Sequence, residues 1–119
     1  MSVDLVSFDL DGTLVDTAAE IAEAANRALD AHGIARRPPA EITLLIGAGA
    51  HELMRRLLMR CFDEDPALAA RVRVVDVLAS MDAHYVQTTG TSARPYAGCI
   101  EALADLRRAG VRLACTTNK

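Results

Sequence analysis

The chain has 119 residues, enough for one compact domain and short for two. Hydrophobic residues make up 51% and charged residues 24%, which excludes a disordered or low-complexity segment. A net charge of −3 gives no general attraction to a polyanion, so neither nucleic acid nor an anionic membrane is an expected partner. Aromatics are only 3%, with no Trp, so the core must rest on Ala, Leu, Val and Ile, a set that favours close-packed helices.

In chain order, residues 2–9 read as a strand, with apolar Val3, Leu5, Val6 and Phe8 before a turn at Gly12. So few polar residues suit a strand covered on both faces, as in a parallel sheet. A helix follows, for which Thr17 and Glu20 spell a capping box and Gly33 a left-handed stop. Residues 34–39 read as a loop broken by Pro38 and Pro39, with Arg36 and Arg37 as a solvated pair. Residues 42–46 are apolar and of either type.

The Gly47 and Gly49 turn leads into a second helix carrying Leu53, Met54, Leu57, Leu58 and Cys61 on one face. Asp65 and Pro66 start a third, on which Leu68, Val72, Val75, Ala79 and Val86 form the expected inner stripe. His84 and Tyr85 on it are expected to pack. A polar connector over 88–94, a helix over about 98–109 closed by Gly110, and a strand over 111–116 complete the pass.

The longest apolar run, residues 42–50, is interrupted by Thr43, Gly47 and Gly49 and cannot span a bilayer. The first four residues have no basic region or signal-peptide core, and Cys61, Cys99 and Cys115 form no C-x-x-C, so reduced, buried thiols in a cytoplasmic protein are expected. The organisation is strand, helical block, helix, strand. Residues 18–93 are far too many for an ordinary crossover and read as a helical subdomain inserted between two adjacent strands of an α/β core formed by 1–17 and 94–119.

Asp9 and Asp11 stand where the first strand runs out, and alternate residues of an extended chain point the same way. In an open parallel sheet the ligand crevice lies at the carboxyl ends of the strands. Two carboxylates so close repel, and a bound cation relieves that repulsion. The second strand ends in Thr116-Thr117-Asn118-Lys119, where a hydroxyl and backbone N–H groups are the donors a phosphate needs. If the two strands are neighbours, Thr117 and Asp9 face one crevice. Of the remaining residues, His32 suits the end of the first helix. His51 reads as solvent-facing, and Arg55, Arg56 and Arg60 as a solvated helix face from which one could meet a substrate carboxylate.

Asp9-Leu10-Asp11-Gly12-Thr13-Leu14-Val15-Asp16-Thr17 resembles the first motif of the haloacid dehalogenase superfamily, in its phosphoglycolate phosphatase-like branch. Leu113 to Lys119 resembles the second motif, Ile46 to Met54 the glycine-containing cap segment, and Pro95-Tyr96-Ala97-Gly98 the turn before the core helix, with Ala97 where Pro is usual. The resemblance covers the whole chain and implies a Rossmann-like parallel-sheet core with a helical cap. It implies that Asp9 is the nucleophile, that Asp11 is the general acid and base, and that the two hold Mg²⁺. Thr117 and Asn118 would bind phosphate, and Gly47 and Gly49 would face substrate from the cap.

The implied activity is Mg²⁺-dependent hydrolysis of a small phosphorylated metabolite, 2-phosphoglycolate favoured, through an aspartyl-phosphate. A sugar-phosphate phosphatase or phosphomutase of the same superfamily is the alternative. The superfamily's third and fourth motifs have no counterpart before Lys119, so the expectation is the N-terminal part of a longer phosphatase, weakly active or inactive alone and associating with the missing part or another chain. A non-catalytic remnant or assembly module shares these features. A receiver-type phosphoacceptor domain requires five alternating strand–helix units, and the helical block argues against it.

Overall fold

A computed structural model describes residues 2–117. The elements run β1 (Leu5–Asp9), β2 (Val15–Asp16), α1 (Ala18–Ala31), α2 (Pro39–Thr43), α3 (Ala50–Glu64), α4 (Ala67–Arg71), α5 (Val74–Thr88), β3 (Arg94–Pro95), α6 (Cys99–Arg108) and β4 (Arg112–Thr116). β1 and β4 pair in parallel, from Leu5 opposite Arg112 to Asp9 opposite Thr116. The two strands are therefore neighbours although the whole helical block lies between them in sequence, which is the α/β arrangement expected. α6 packs back against β4.

The core is built by α1 to α5. Ile21, Ala25, Ala28 and Leu29 of α1 meet Val77, Leu78 and Met81 of α5, while Leu53, Met54, Leu57, Leu58 and Cys61 form the buried stripe of α3. All five α3 positions are those the helical spacing selects. Ala24, Ala25 and Ala28 are fully buried, and their small side chains let α1 and α5 pack over their length. Among the described residues, neither the strands nor α6 hold a fully buried side chain. No helix among them is long and apolar enough to cross a membrane.

α1 ends as its sequence predicts. Gly33 has φ +70°, the Gly33 N–H bonds the Asp30 carbonyl and the Ile34 N–H bonds the Leu29 carbonyl, the paired bonds of a Schellman motif. Its start does not follow the capping box. The Thr17 side chain makes no cap bond, and the Asp16 carboxylate instead accepts the Ala18 N–H at 3.1 Å. Glu20, 1% exposed, turns away from the helix start and accepts the N–H groups of Gly90 and Ser92 at 3.1 and 3.2 Å. The Thr88 hydroxyl donates to the Glu20 carbonyl at 2.9 Å. Tertiary partners thus outcompete the local cap.

The expected third helix is two helices. Val72 and Arg73 are extended, with φ −119° and −94°, and separate α4 from α5. β-branched residues at 72, 74 and 75 resist helix, and Val72 still buries its side chain from the extended backbone. The break resets the helical phase. Val77, Leu78 and Met81 face inward, whereas Val75 and Val86 are 58% and 80% exposed, against the expected stripe. Residues 42–46, of open type in the sequence, finish α2 and continue as turn, with Ile42 and Leu45 buried.

Arg36 and Arg37 are not a simple solvated pair. The Asn26 side chain bonds both the N–H and the carbonyl of Arg37, at 2.8 and 2.9 Å, and locks the loop onto α1. The Arg37 guanidinium then bridges Glu41 and Glu64, tying α2 to the end of α3. Arg36 reaches Glu23 and Asp30. The Arg37 hydrogen bonds hold both the Glu41 and the Glu64 carboxyls below their ordinary value of 4.5. A carboxyl depressed in the folded state stabilises above its unfolded pKa and loses that contribution as pH falls through its folded value. Stability is therefore expected to fall below about pH 4.5. In Arg37→Gln the melting temperature should drop at neutral pH, and the gap to wild type should close as the pH is lowered through that window. Thermal melts at stepped pH check this.

Candidate active site

The site grows from the end of β1. Asp9 is the last strand residue and is exposed. The chain then turns tightly. The Leu10 carbonyl accepts the N–H groups of Thr13, Leu14 and Val15, the Gly12 N–H bonds Val15, and Gly12 takes φ +81°. A side chain is disfavoured there by the backbone alone, since an added Cβ meets nothing within 4 Å. The turn delivers Asp11 next to Thr17, whose hydroxyl donates to the Asp11 carboxylate at 2.8 Å. Thr17 is 3% exposed, so this bond is sheltered.

Two short segments brace the turn. β2 pairs antiparallel with β3, Val15 opposite Pro95 and Asp16 opposite Arg94. The Tyr96 N–H extends the ladder to the Leu14 carbonyl at 3.1 Å. The chain entering the helices and the chain leaving them are thereby bonded to each other directly beside Asp11.

Asp9 and Asp11 border a cavity of about 890 Å³. Another part of its lining is the turn over residues 46–50 and the first two turns of α3, including His51, Glu52, Arg55 and Arg56. A third side is the stripe Asp82, Tyr85, Val86 and Thr89 along α5 and its end. Gly47 and Gly49, predicted to face substrate, are both in the wall. Gly49 begins α3 with φ +93°, and Gly47 has φ +149° with open space where a Cβ would stand. Tight-turn geometry thus accounts for both glycines, and that turn is also what lines the cavity.

The fold therefore brings Asp9, Asp11, Gly47 and Gly49 to one cavity. Thr117 lies one residue past β4, beyond the Asp9–Thr116 pair, at the same end of the sheet but outside the cavity lining. Thr116 faces Ser7, their hydroxyls 2.8 Å apart. Asn118 lies outside the described residues. His51 is half exposed, as expected, but also borders the cavity and bonds both Asp82 oxygens through Nε2 at 2.8 and 2.9 Å. Asp82 was not singled out by the sequence; the available signal was its spacing from Tyr85, Val86 and Thr89, a mixed polar stripe at helical period. Thr17 was read as a cap, and nothing local announces its bond to Asp11.

Asp9 and Asp11 offer hard oxygen donors. Mg²⁺ commonly takes one or two protein carboxylates and completes its shell with other oxygens, water and phosphate, so the Asp9 carboxylate with the Asp11 backbone carbonyl fits a partial Mg²⁺ shell. Among the described residues no group of three or more His, Cys, Asp or Glu side chains is gathered for a metal.

Residues 3–119 match the family model described as haloacid dehalogenase-like hydrolase. The plasmid phosphoglycolate phosphatase of Cupriavidus necator is 45% identical over 114 residues, covering 96% of this chain and 47% of the relative. The phosphoglycolate phosphatase of Nitrosospira multiformis is 38% identical, covering 100% of this chain and 51% of the relative. Among solved structures, a predicted phosphoglycolate phosphatase from Haemophilus somnus superposes with a TM-score of 0.79 at 27% identity, covering 98% of this chain and 52% of that one. The chain spans about half the length of the curated relatives it matches.

Proposed function

Because the chain belongs to the haloacid dehalogenase-like hydrolase family, we propose that the protein hydrolyses a small phosphomonoester, 2-phosphoglycolate foremost, by way of a covalent aspartyl-phosphate on Asp9. One observation carries the reading: Asp9 and Asp11 border a single cavity at the carboxyl end of β1, lined otherwise by residues of the helices and their turns.

In this reading the Asp9 carboxylate attacks phosphorus, the ester P–O bond breaks, and the departing oxygen takes the proton of Asp11. Water then attacks phosphorus and gives its proton to Asp11. The Asp9–phosphorus bond breaks, inorganic phosphate leaves and Asp9 is a carboxylate again. The Thr17 hydroxyl holds Asp11 in place between the two proton transfers. Thr117, one residue past β4, supplies a phosphate donor, and Asn118 is assigned the same role from its place in the sequence. Mg²⁺ would be held by the Asp9 carboxylate and the Asp11 backbone carbonyl, and when bound would neutralise charge on the phosphoryl oxygens. Residues 18–93 act as a cap that shields the reacting groups from bulk water, while 1–17 and 94–119 belong to the core.

The test is phosphate release by the full-length gene product from a panel of phosphomonoesters, with Mg²⁺ and with a chelator. Turnover of 2-phosphoglycolate that vanishes on chelation is the expected result. No release from any phosphomonoester with Mg²⁺ present defeats the reading.

A further inference from the structure

Three basic side chains on α3 border the cavity, and two of them are already engaged by carboxylates. His51 is bound to Asp82, and Arg56 pairs with Glu52 at 3.0 Å one helical turn away. Arg55, one turn on from His51 along the same side of the helix, forms no ion pair or hydrogen bond among the described residues and is exposed. Arg60, which continues the basic series, reaches Glu41 at 3.5 Å and does not line the cavity. Among the described residues, Arg55 is therefore the one α3 cation lining the cavity that no carboxylate engages.

We infer that Arg55 is a specificity-determining residue, binding a carboxylate on the organic part of the phosphomonoester. The inference rests on the phosphatase reading above and extends it to the substrate's far end. With phosphorus at Asp9, the rest of the substrate projects across the cavity towards α3. A guanidinium presents paired N–H donors that match the two oxygens of a carboxylate. Of the other acidic groups of the wall, Glu52 is paired with Arg56, and the Asp82 oxygens are turned onto His51. A substrate with a neutral tail leaves Arg55 without a counter-charge in the cavity and gains nothing from it. Discrimination thus favours phosphorylated hydroxy acids over phosphorylated alcohols and sugars.

The test compares 2-phosphoglycolate with 2-hydroxyethyl phosphate, in which a neutral CH₂OH replaces the carboxylate, using the full-length protein. Arg55→Gln is expected to raise KM for 2-phosphoglycolate about 10- to 100-fold and to move that for 2-hydroxyethyl phosphate by less than about 2-fold. Arg55→Lys should recover part of the loss, and Arg60→Gln should follow wild type. Calorimetric titration of 2-phosphoglycolate into Asp9→Asn protein, with and without Arg55→Gln, should show the same loss in affinity without relying on turnover. Equal effects of Arg55→Gln on both substrates, or none on either, overturn the inference and leave the phosphatase reading standing. If wild type hydrolyses neither substrate nor any other phosphomonoester, both are overturned.

Discussion

Asp9→Asn in the full-length protein is expected to lower phosphomonoester turnover by roughly 10⁴-fold or more, because the amide has no charge with which to attack phosphorus. Asp11→Asn should cost less, about 10²- to 10⁴-fold, since it removes acid–base assistance and leaves the nucleophile in place. The two variants differ in kind as well as in size. Asp11→Asn slows both formation and breakdown of the phosphorylated enzyme, so some label should still be trapped on rapid quenching with radiolabelled substrate. Asp9→Asn should trap none. Folding should be untouched by Asp9→Asn, because the side chain is exposed at the end of β1. Turnover by Asp9→Asn close to that of wild type removes Asp9 from the chemistry.

The second large effect concerns Glu20. Its buried carboxylate is the acceptor for the N–H groups of Gly90 and Ser92, two positions that no regular element bonds. Glu20→Ala leaves these donors without their partner and opens space beneath the connector between α5 and β3. A loss of about 2–4 kcal/mol is expected from the two causes together. Glu20→Gln keeps a carbonyl oxygen that can accept both bonds and should lose less than half as much. Denaturant unfolding of the three proteins measures this. Equal stability of Glu20→Ala and wild type contradicts the role assigned to the carboxylate.

Much of the architecture was legible because it rests on periodicity and on backbone chemistry. The α3 stripe follows from five apolar residues at helical spacing, and the end of α1 from a glycine where the chain must turn left-handed. The pairing of β1 with β4 followed from the helical block being too long for a crossover. The candidate site was legible for the same reason: Asp9 and Asp11 lie where an apolar run stops, and Gly47 and Gly49 where a helix starts.

What was not legible depends on competition between partners distant in sequence. Thr17 and Glu20 have the residue types and spacing of a capping box, and each is drawn off by something better. Asp11 takes the hydroxyl, and the 90–92 backbone takes the carboxylate. The division of α4 from α5 turns on two extended residues, and an unbroken helical period carried through them assigns the wrong face to Val75 and Val86. Arg37 could be ranked as structural only once Asn26 and Glu64 were seen to converge on it.

The ladder formed by 15–16 with 94–95 has a mechanical corollary. Two independent tethers would let the helices swivel freely about the sheet; two tethers zipped together behave as a ribbon, stiff to torsion and soft to flexion. Thr17 and Asp11 sit at the root of that ribbon, so the hydroxyl that holds the Asp11 carboxylate is carried by the same segment that ties the helices to the sheet.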